Sequence, residues 1–430
     1  MDQTNENHFD VIVIGAGAAG LGAARTLHDS GLNVITLEAR DRIGGRIYTS
    51  RDNTGRPVEL GAEMLHTAQN PLLQVLADAG VATVDVGGTR TLSPNFAVKL
   101  THLLDTLDEP VHSQSASDFV RQVPGSAERE LLAEAFDAQL GREALRRTSA
   151  IDAIQELRLE LEHGEFMSTF NSRVPEGLDQ IATVLAAGLQ VHTSTRVERV
   201  EHHEKGVSIL ATVNGQSQGF HASRVVVALP LGVLKNNDVQ FEPRLPVGTV
   251  QAMHDIINLD IVKILFTFSG DVWNLPEDIE YRAEGPLSAI WNSTFAGAST
   301  KETVVVAWAV GDKARSLLET NIETAMRQAL EQVRIQLGDS GLDPVFAGFH
   351  SWATDPYARG AYSHLPPGAA PDARQRLAAP IADRIFWAGE ATATWRSRTV
   401  HGAYLSGLRA AAEISASLTS AERKAFQLSV

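Results

Sequence analysis

No cysteine occurs anywhere in this chain of 430 residues. That absence excludes a structural disulfide, a thiolate zinc site and a redox-active disulfide, and with them any prosthetic group attached through cysteine sulfur. There is no apolar run of the roughly 18 residues a membrane helix needs. The N-terminus, MDQTNENHFD, is polar and acidic and lacks the apolar stretch of a secretion signal. The expected location is cytoplasmic, with no membrane partner. Positive charge is scarce too: 37 Lys and Arg stand against 52 Asp and Glu, a formal net charge of −15. A field of that sign disfavours nucleic acid and attracts cationic ligands such as amines. The adjacent pair His202 and His203 has no spaced partner, so no metal is expected. Repeats and low-complexity tracts are absent as well. The remaining composition, 43% hydrophobic and 21% charged, is that of a globular protein long enough for two cores.

What the chain does have is concentrated near its start. Val11 to Ile14 is a β-branched apolar run bounded by Asp10 and Gly15, the pattern of a buried parallel strand. Gly15, Gly17 and Gly20 follow in G-x-G-x-x-G spacing, with Ala18 among them. The first glycine permits a tight turn, the second lets backbone approach a pyrophosphate, and the third lets the next helix pack on the strand. That helix runs through Ala23, Ala24 and Leu27 to Gly31, placed as a C-terminal cap. A second strand, Asn33 to Leu37, ends in Glu38, an acid suited to a ribose hydroxyl and repellent to a 2′-phosphate. Together these elements point to an ADP-containing dinucleotide. The glycines alone fit a nicotinamide unit equally well. Arg40, Arg42 and Arg46 around Gly44-Gly45 add a second basic loop, which suits the longer FAD.

The stretch EARDRIGGRIYT resembles the FAD-binding fingerprint of the flavin amine oxidase superfamily: monoamine and polyamine oxidases, the histone lysine demethylase and L-amino-acid oxidases. The resemblance implies an α/β fold, a Rossmann-like FAD-binding domain with a second, α+β substrate-binding domain. It also implies roles for residues. Glu38, Ala39, Arg40, Gly44, Gly45 and Arg46 would contact the cofactor. ELGAEMLH is similar to a polyamine oxidase segment that runs under the flavin, which brings in Gly61, Ala62 and Glu63 and makes His66 a substrate-contacting histidine. Without that motif, His66 reads as a surface residue flanking the helix that Asn70 and Pro71 begin. Val197, upstream of ALPLGVLK, falls where the family backs a valine onto adenine.

Lys263 interrupts the apolar run Ile261 to Phe268. A buried, unpaired ammonium is costly, so it must reach water or a partner. The matching family strand carries a lysine that holds a water against flavin N5; the plainer reading is a lysine snorkelling from an edge strand. HSWATDPYARGAYSHLPPGA resembles the W-x-x-D-P-x-x-x-G-x-Y-S segment of polyamine oxidases, implying that Trp352 and Tyr362 stand beside the flavin. Ala361 takes the place of the cysteine that monoamine oxidases join to flavin, so the FAD is expected to be non-covalent. In IFWAGEATATWRSRTVHGAYLSGLRAA, Gly389 and Glu390 would lie near the ribityl-pyrophosphate. Thr399 and Val400 would present N–H groups to the flavin's pyrimidine end, ahead of a helix beginning near Gly402. Thr399 replaces a tyrosine of the monoamine oxidase cage, which leaves the pocket more open.

Residues 81–188 carry little of the resemblance. Helices are expected over 127–140, 151–161 and 178–187, and over 321–337 with Ile322, Ala325, Met326, Ala329, Leu330 and Val333 facing inward. The charges Glu156, Arg158, Glu160 and Glu162 read as a solvated helix face. The expected FAD-binding parts are 1–80, 190–245 and 376–420; 81–189 and 246–375 form the substrate domain, and 421–430 a tail. The implied function is amine oxidation most similar to that of polyamine oxidases. Lys263, His66, Tyr362, Trp352 and Thr399 serve the reaction, a hydride passes from the α-carbon to FAD, and O2 is the acceptor, giving peroxide. An L-amino-acid oxidase would need an arginine for the substrate carboxylate, with Arg142, Arg282 and Arg359 as candidates. A demethylase acting on a peptide tail, or a non-catalytic flavin-bound scaffold, are further alternatives.

Overall fold

The computed structural model describes residues 8–53, 55–87, 95–140, 144–164, 170–275, 285–294 and 302–418. The opening unit forms as a strand at His8–Ile14, a helix at Ala18–Asp29 and a strand at Val34–Leu37. The two strands pair in parallel, Val11 opposite Val34 through Ile14 opposite Leu37, because the helix returns the chain to the same end. Clusters on both faces bury them, which accounts for their unbroken apolar sequence. Gln190–His192 extends the sheet beyond Val34–Leu37, Gln216–Val227 extends it beyond His8–Ile14, and Ile385–Trp387 pairs in parallel with residues 225–227. From the long Gln216–Val227 strand an antiparallel arm runs through Gly206–Val213 and Thr195–His203, with Gln240–Glu242 at its edge.

The last helix, Val400–Ser417, lies against the first. Gly407 makes this approach possible: a Cβ there would stand 2.1 Å from the Ala19 carbonyl oxygen. The helix begins two residues before the expected Gly402, because the Thr399 hydroxyl accepts from Gly402 N at 3.0 Å and caps it.

A second sheet is antiparallel throughout, in the order Ala289–Asn292, Glu302–Val310, Ile261–Ser269, Phe346–Ser351. Ile261–Ser269 is an interior strand, so Lys263 does not snorkel from an edge. Alternation sends Val262, Ile264, Phe266 and Phe268 toward the helices Asp312–Leu318 and Ile322–Leu337. Ile322 was expected in that core but is 58% exposed; it opens the helix, and the buried stripe starts only at Ala325. Four helices, Phe96–Thr106, Ala116–Gln122, Ser126–Leu140 and Ala150–His163, gather with Ile261, Val310, Trp352 and Ala361 into a cap.

Three expected domain boundaries move. Ala252 and Met253 of the Val247–Asp255 helix and Ala373 and Leu377 of the Ala373–Ala378 helix share the core of the first sheet. Gln180–Ala186 packs beside the first helix. These segments therefore belong to the dinucleotide unit, because their apolar sides cover its open faces. The expected 421–430 tail lies outside the described residues. No described helix is long and apolar enough to cross a membrane.

Candidate active site

A continuous cavity of about 1360 Å³ runs from the glycine loops to the second sheet, more than one drug-sized ligand requires. Of the residues expected to hold cofactor or substrate, all but Gly20 line it. Gly20 sits behind, where a Cβ would stand 1.8 Å from the Gly15 carbonyl oxygen, so its absence lets the helix close on the strand.

At the dinucleotide end, the two glycine loops join through a parallel bridge between Gly17 and Gly44 and a hydrogen bond from Gly44 N to Ala16 O of 2.8 Å. Gly17 caps the first helix without any side-chain acceptor, which leaves that N-terminus as an anion site. Glu38 is buried, and one of its oxygens accepts from Ala16 N at 2.8 Å while the other accepts from Arg40 N at 2.9 Å. Burial pushes its carboxyl up, against the pull of those two N–H groups. A carboxylate with one donor on each oxygen keeps acceptor capacity for a hydroxyl. The arginines of this loop are less free than their spacing implies. Arg40 donates both guanidinium nitrogens to Asp355, at 3.0 and 2.6 Å. Arg42 wraps the loop itself, donating to the carbonyls of Ile43, Gly45 and Ile47. Arg46 pairs with Glu390 at 3.0 Å and donates to the Ala361 carbonyl. Burial opposes the charge on Glu390, yet Arg46 and Arg374 hold its carboxyl below the usual value, with the Ser363 hydroxyl donating at 2.7 Å.

At the other end, Lys263 is 4% exposed and donates to Glu63 at 2.7 Å and to the Gly61 carbonyl at 3.2 Å. Glu63 also pairs with Arg173 at 2.8 Å and accepts from Ser293 Oγ at 2.6 Å and Trp291 Nε1 at 3.1 Å. Burial favours its neutral form, but Lys263 and Arg173 overrule this and hold it down to about 2. The carboxylate is thus saturated by protein donors, so Glu63 meets the cavity as a partner of Lys263 and not as a cofactor ligand in its own right. The pairing of Leu65–His66 with Asn171–Arg173 carries Arg173 to this place. It also sets His66 opposite Asn171, whose Oδ1 lies 2.6 Å from His66 Nδ1. Asn171 Nδ2 donates to the Gly87 carbonyl at 3.2 Å, which fixes the amide. His66 Nδ1 therefore carries the proton and Nε2 is an acceptor. Burial lowers the pKa of His66, and that of His364, well buried beside Tyr362, more strongly.

Four aromatic residues line this end: Trp291 and Trp308 edge to face at 6.0 Å, Trp352 against His350 at 4.1 Å, and Tyr362. Carboxylates of Glu134 and Asp137 reach the same cavity from the cap. The charged run of Ala150–His163 is solvated as expected at Arg158 and Glu162 but not at Glu156 and Glu160. Glu156 and Glu160 are buried because the loop before the last helix turns in among them: Arg396 pairs with Glu160 at 2.7 Å and its N donates to Glu156 at 3.1 Å. Arg398, which lines the cavity, lies 3.5 Å from Asp152 and 4.0 Å from Glu156. Of the candidate carboxylate binders, Arg359 is paired with Asp238, and Arg142 and Arg282 lie outside the described residues. Sequence reasoning missed Arg173, Asn171, Trp291, Ser293 and Arg398. The one available signal was the demand of Lys263 for a partner.

A family model described as flavin containing amine oxidoreductase matches residues 18–135 and 90–415. Polyamine oxidase 2 of Arabidopsis thaliana is 31% identical over 437 residues, covering 93% of this chain and 87% of that protein. Lysine-specific histone demethylase 2 of Homo sapiens is 27% identical over 440 residues, 94% of this chain but only 53% of the demethylase. Among solved structures, a wild-type putrescine oxidase bound to putrescine superposes with a TM-score of 0.77 at 21% identity, over 95% of this chain and 99% of that one. Cyclohexylamine oxidase from Brevibacterium oxydans IH-35A gives 0.76 at 21% identity, with the same coverage.

Proposed function

Because the chain belongs to the flavin-containing amine oxidoreductases, we propose that it oxidises a polyamine or related amine with a second cationic group, using O2 as acceptor. FAD is the cofactor, and the residues present fit it: an uncapped helix N-terminus among glycines, a buried acid, and a cavity with room for a dinucleotide and a substrate. With no cysteine in the chain, nothing offers it a thioether link. When bound, the flavin supplies the redox step, accepting hydride from the carbon beside the amine nitrogen and passing electrons to O2 to give H2O2, while water opens the imine.

In this reading the glycine loops hold the pyrophosphate, Glu38 the ribose, and Val197 backs the adenine. Gly389 and Glu390 flank the ribityl chain, and Gly61, Ala62, Thr399 and Val400 border the ring. Trp352 and Tyr362 orient the amine between aromatic faces. His66 Nε2 accepts an N–H of the substrate, and its neutral ring adds no repulsion to a cationic ligand. Lys263 places an ammonium at the cavity wall to order water at the reacting end.

The observation that carries the reading is the shared cavity of Lys263, four aromatic residues and the carboxylates of Glu134 and Asp137, a setting for a long cation that reacts at one nitrogen. The test is anaerobic mixing of the holoenzyme with putrescine, spermidine, benzylamine and a set of L-amino acids. Di- and polyamines should bleach the flavin absorbance faster than benzylamine. Bleaching by amino acids alone would transfer the assignment to an amino-acid oxidase, for which Arg398, at the cavity wall and held only loosely by Asp152 at 3.5 Å and Glu156 at 4.0 Å, is the carboxylate binder to test. No bleaching by any amine would remove amine oxidation altogether.

A further inference from the structure

We propose that Glu63 and Arg173 are positioning residues for Lys263, and that the three form a unit of two cations and one anion whose single net positive charge sets how readily the adjoining flavin is reduced. The inference rests on the reading that places the flavin against Lys263.

The geometry is unusually closed for a lysine at a cavity wall. Lys263 is on an interior strand, and its ammonium is held between Glu63 Oε2 at 2.7 Å and the Gly61 carbonyl at 3.2 Å. Were Glu63 alone, the pair would be neutral and the lysine's charge cancelled where a reduced flavin could use it. Arg173 approaches the other oxygen, at 2.8 Å, and restores one positive charge. Ser293 and Trp291 complete the shell of the carboxylate, so neither oxygen is left to swing toward a ligand. All three charged side chains are at most 5% exposed. Burying three charges generally costs more than an apolar filling of the same volume, so packing gives no reason for them.

Among the described residues, His350 and Glu59 do not cancel this charge. His350, opposite Lys263 on the adjacent strand, is pushed by burial down to about 4 and is neutral above that. Glu59 accepts from Leu178 N and the Thr49 hydroxyl, and burial pushes its carboxyl up to about 7. It is therefore mostly protonated at pH 6. Glu63, held at about 2, remains an anion there. Positive charge beside a flavin favours its electron-rich reduced form.

The experiment is the midpoint potential of the bound flavin at pH 6, read against reference dyes without any amine. Glu63→Gln, which keeps the shape and removes the anion, should raise the potential. Arg173→Met should lower it, as should Lys263→Met, and Arg173→Lys should restore the wild-type value. Each shift should be roughly tenfold in the reduction equilibrium, about 30 mV for a two-electron couple. Opposite signs for Glu63→Gln and Arg173→Met are what a merely structural disturbance does not produce. Shifts of the same sign, or none in either while Lys263→Met shifts, would overturn the proposal. No shift in Lys263→Met would instead overturn the placement of the flavin against that lysine. If Arg173→Met retains no flavin, Arg173→Gln makes the same charge change with a polar side chain.

Discussion

Glu38 accepts two backbone N–H groups while closing the turn that leads out of the second strand. Glu38→Ala should therefore leave the chain folded but poor in FAD, seen as a low ratio of flavin to protein absorbance after purification; full flavin content would refute its ribose role. A second expectation concerns acid. Burial holds His401 and His350 neutral, down to about 3 and about 4, whereas in the unfolded chain both take a proton near 6.5. Stability contributed by their neutrality is present above 6.5 and is lost as pH falls, on the order of 1 kcal/mol per pH unit for each. Glu59 works the other way, since its raised carboxyl favours the folded state below about 7. Burial raises Glu38 and Glu156 as it does Glu59, and holds His66 and His364 neutral as it does His350 and His401, so between pH 6.5 and 5 four buried histidines stand against three buried carboxyls. The melting temperature should fall across this window, and a flat or rising one would contradict the burial of these rings. Among single residues, those inside continuous motifs could be placed from sequence, as with Gly17, His66 and Tyr362. Arg173 could not, because its meaning comes from a carboxylate on a distant strand, and no local pattern records that they meet.

Elements were legible wherever their reasons were local. The strand at His8–Ile14, the Asn70 cap and the Asn214-Gly215 hairpin each follow from neighbouring residues. The helix Ala150–His163 shows the limit. Its run of charges looks solvated, yet its partners Arg396 and Arg398 come from a loop more than 230 residues later, in left-handed backbone with φ of 55° and 71°. Gly407 gives a clean test at this scale. Gly407→Ala adds one methyl against the Ala19 carbonyl and should destabilise the protein by about 1–3 kcal/mol through separation of the first and last helices. Denaturant titration reads this, and an unchanged midpoint would mean that the helices have room to spare.

Across the whole molecule, one tie between the two units is the Arg396 loop where it enters the cap. Arg396 is fully buried and pairs with Glu160. Removing one partner of such a pair strands the other, a loss of about 3–5 kcal/mol. Arg396→Met should therefore lower the melting temperature and open the cap to limited proteolysis, and cleavage as slow as in the wild type would show that the cap stands without this tie. The number of units could be read in the sequence, but their borders could not. Helices such as Val247–Asp255 join the first sheet through apolar sides that would have suited either core. The close contact of Ala18–Asp29 with Val400–Ser417 has a further consequence for biogenesis. On the ribosome, the nascent chain displays its alanine-lined first helix long before the segment that shields it has been translated. The nucleotide-binding half is thus completed only after the cap and the second sheet have been made, and a product stalled between them would leave that flank bare for a chaperone.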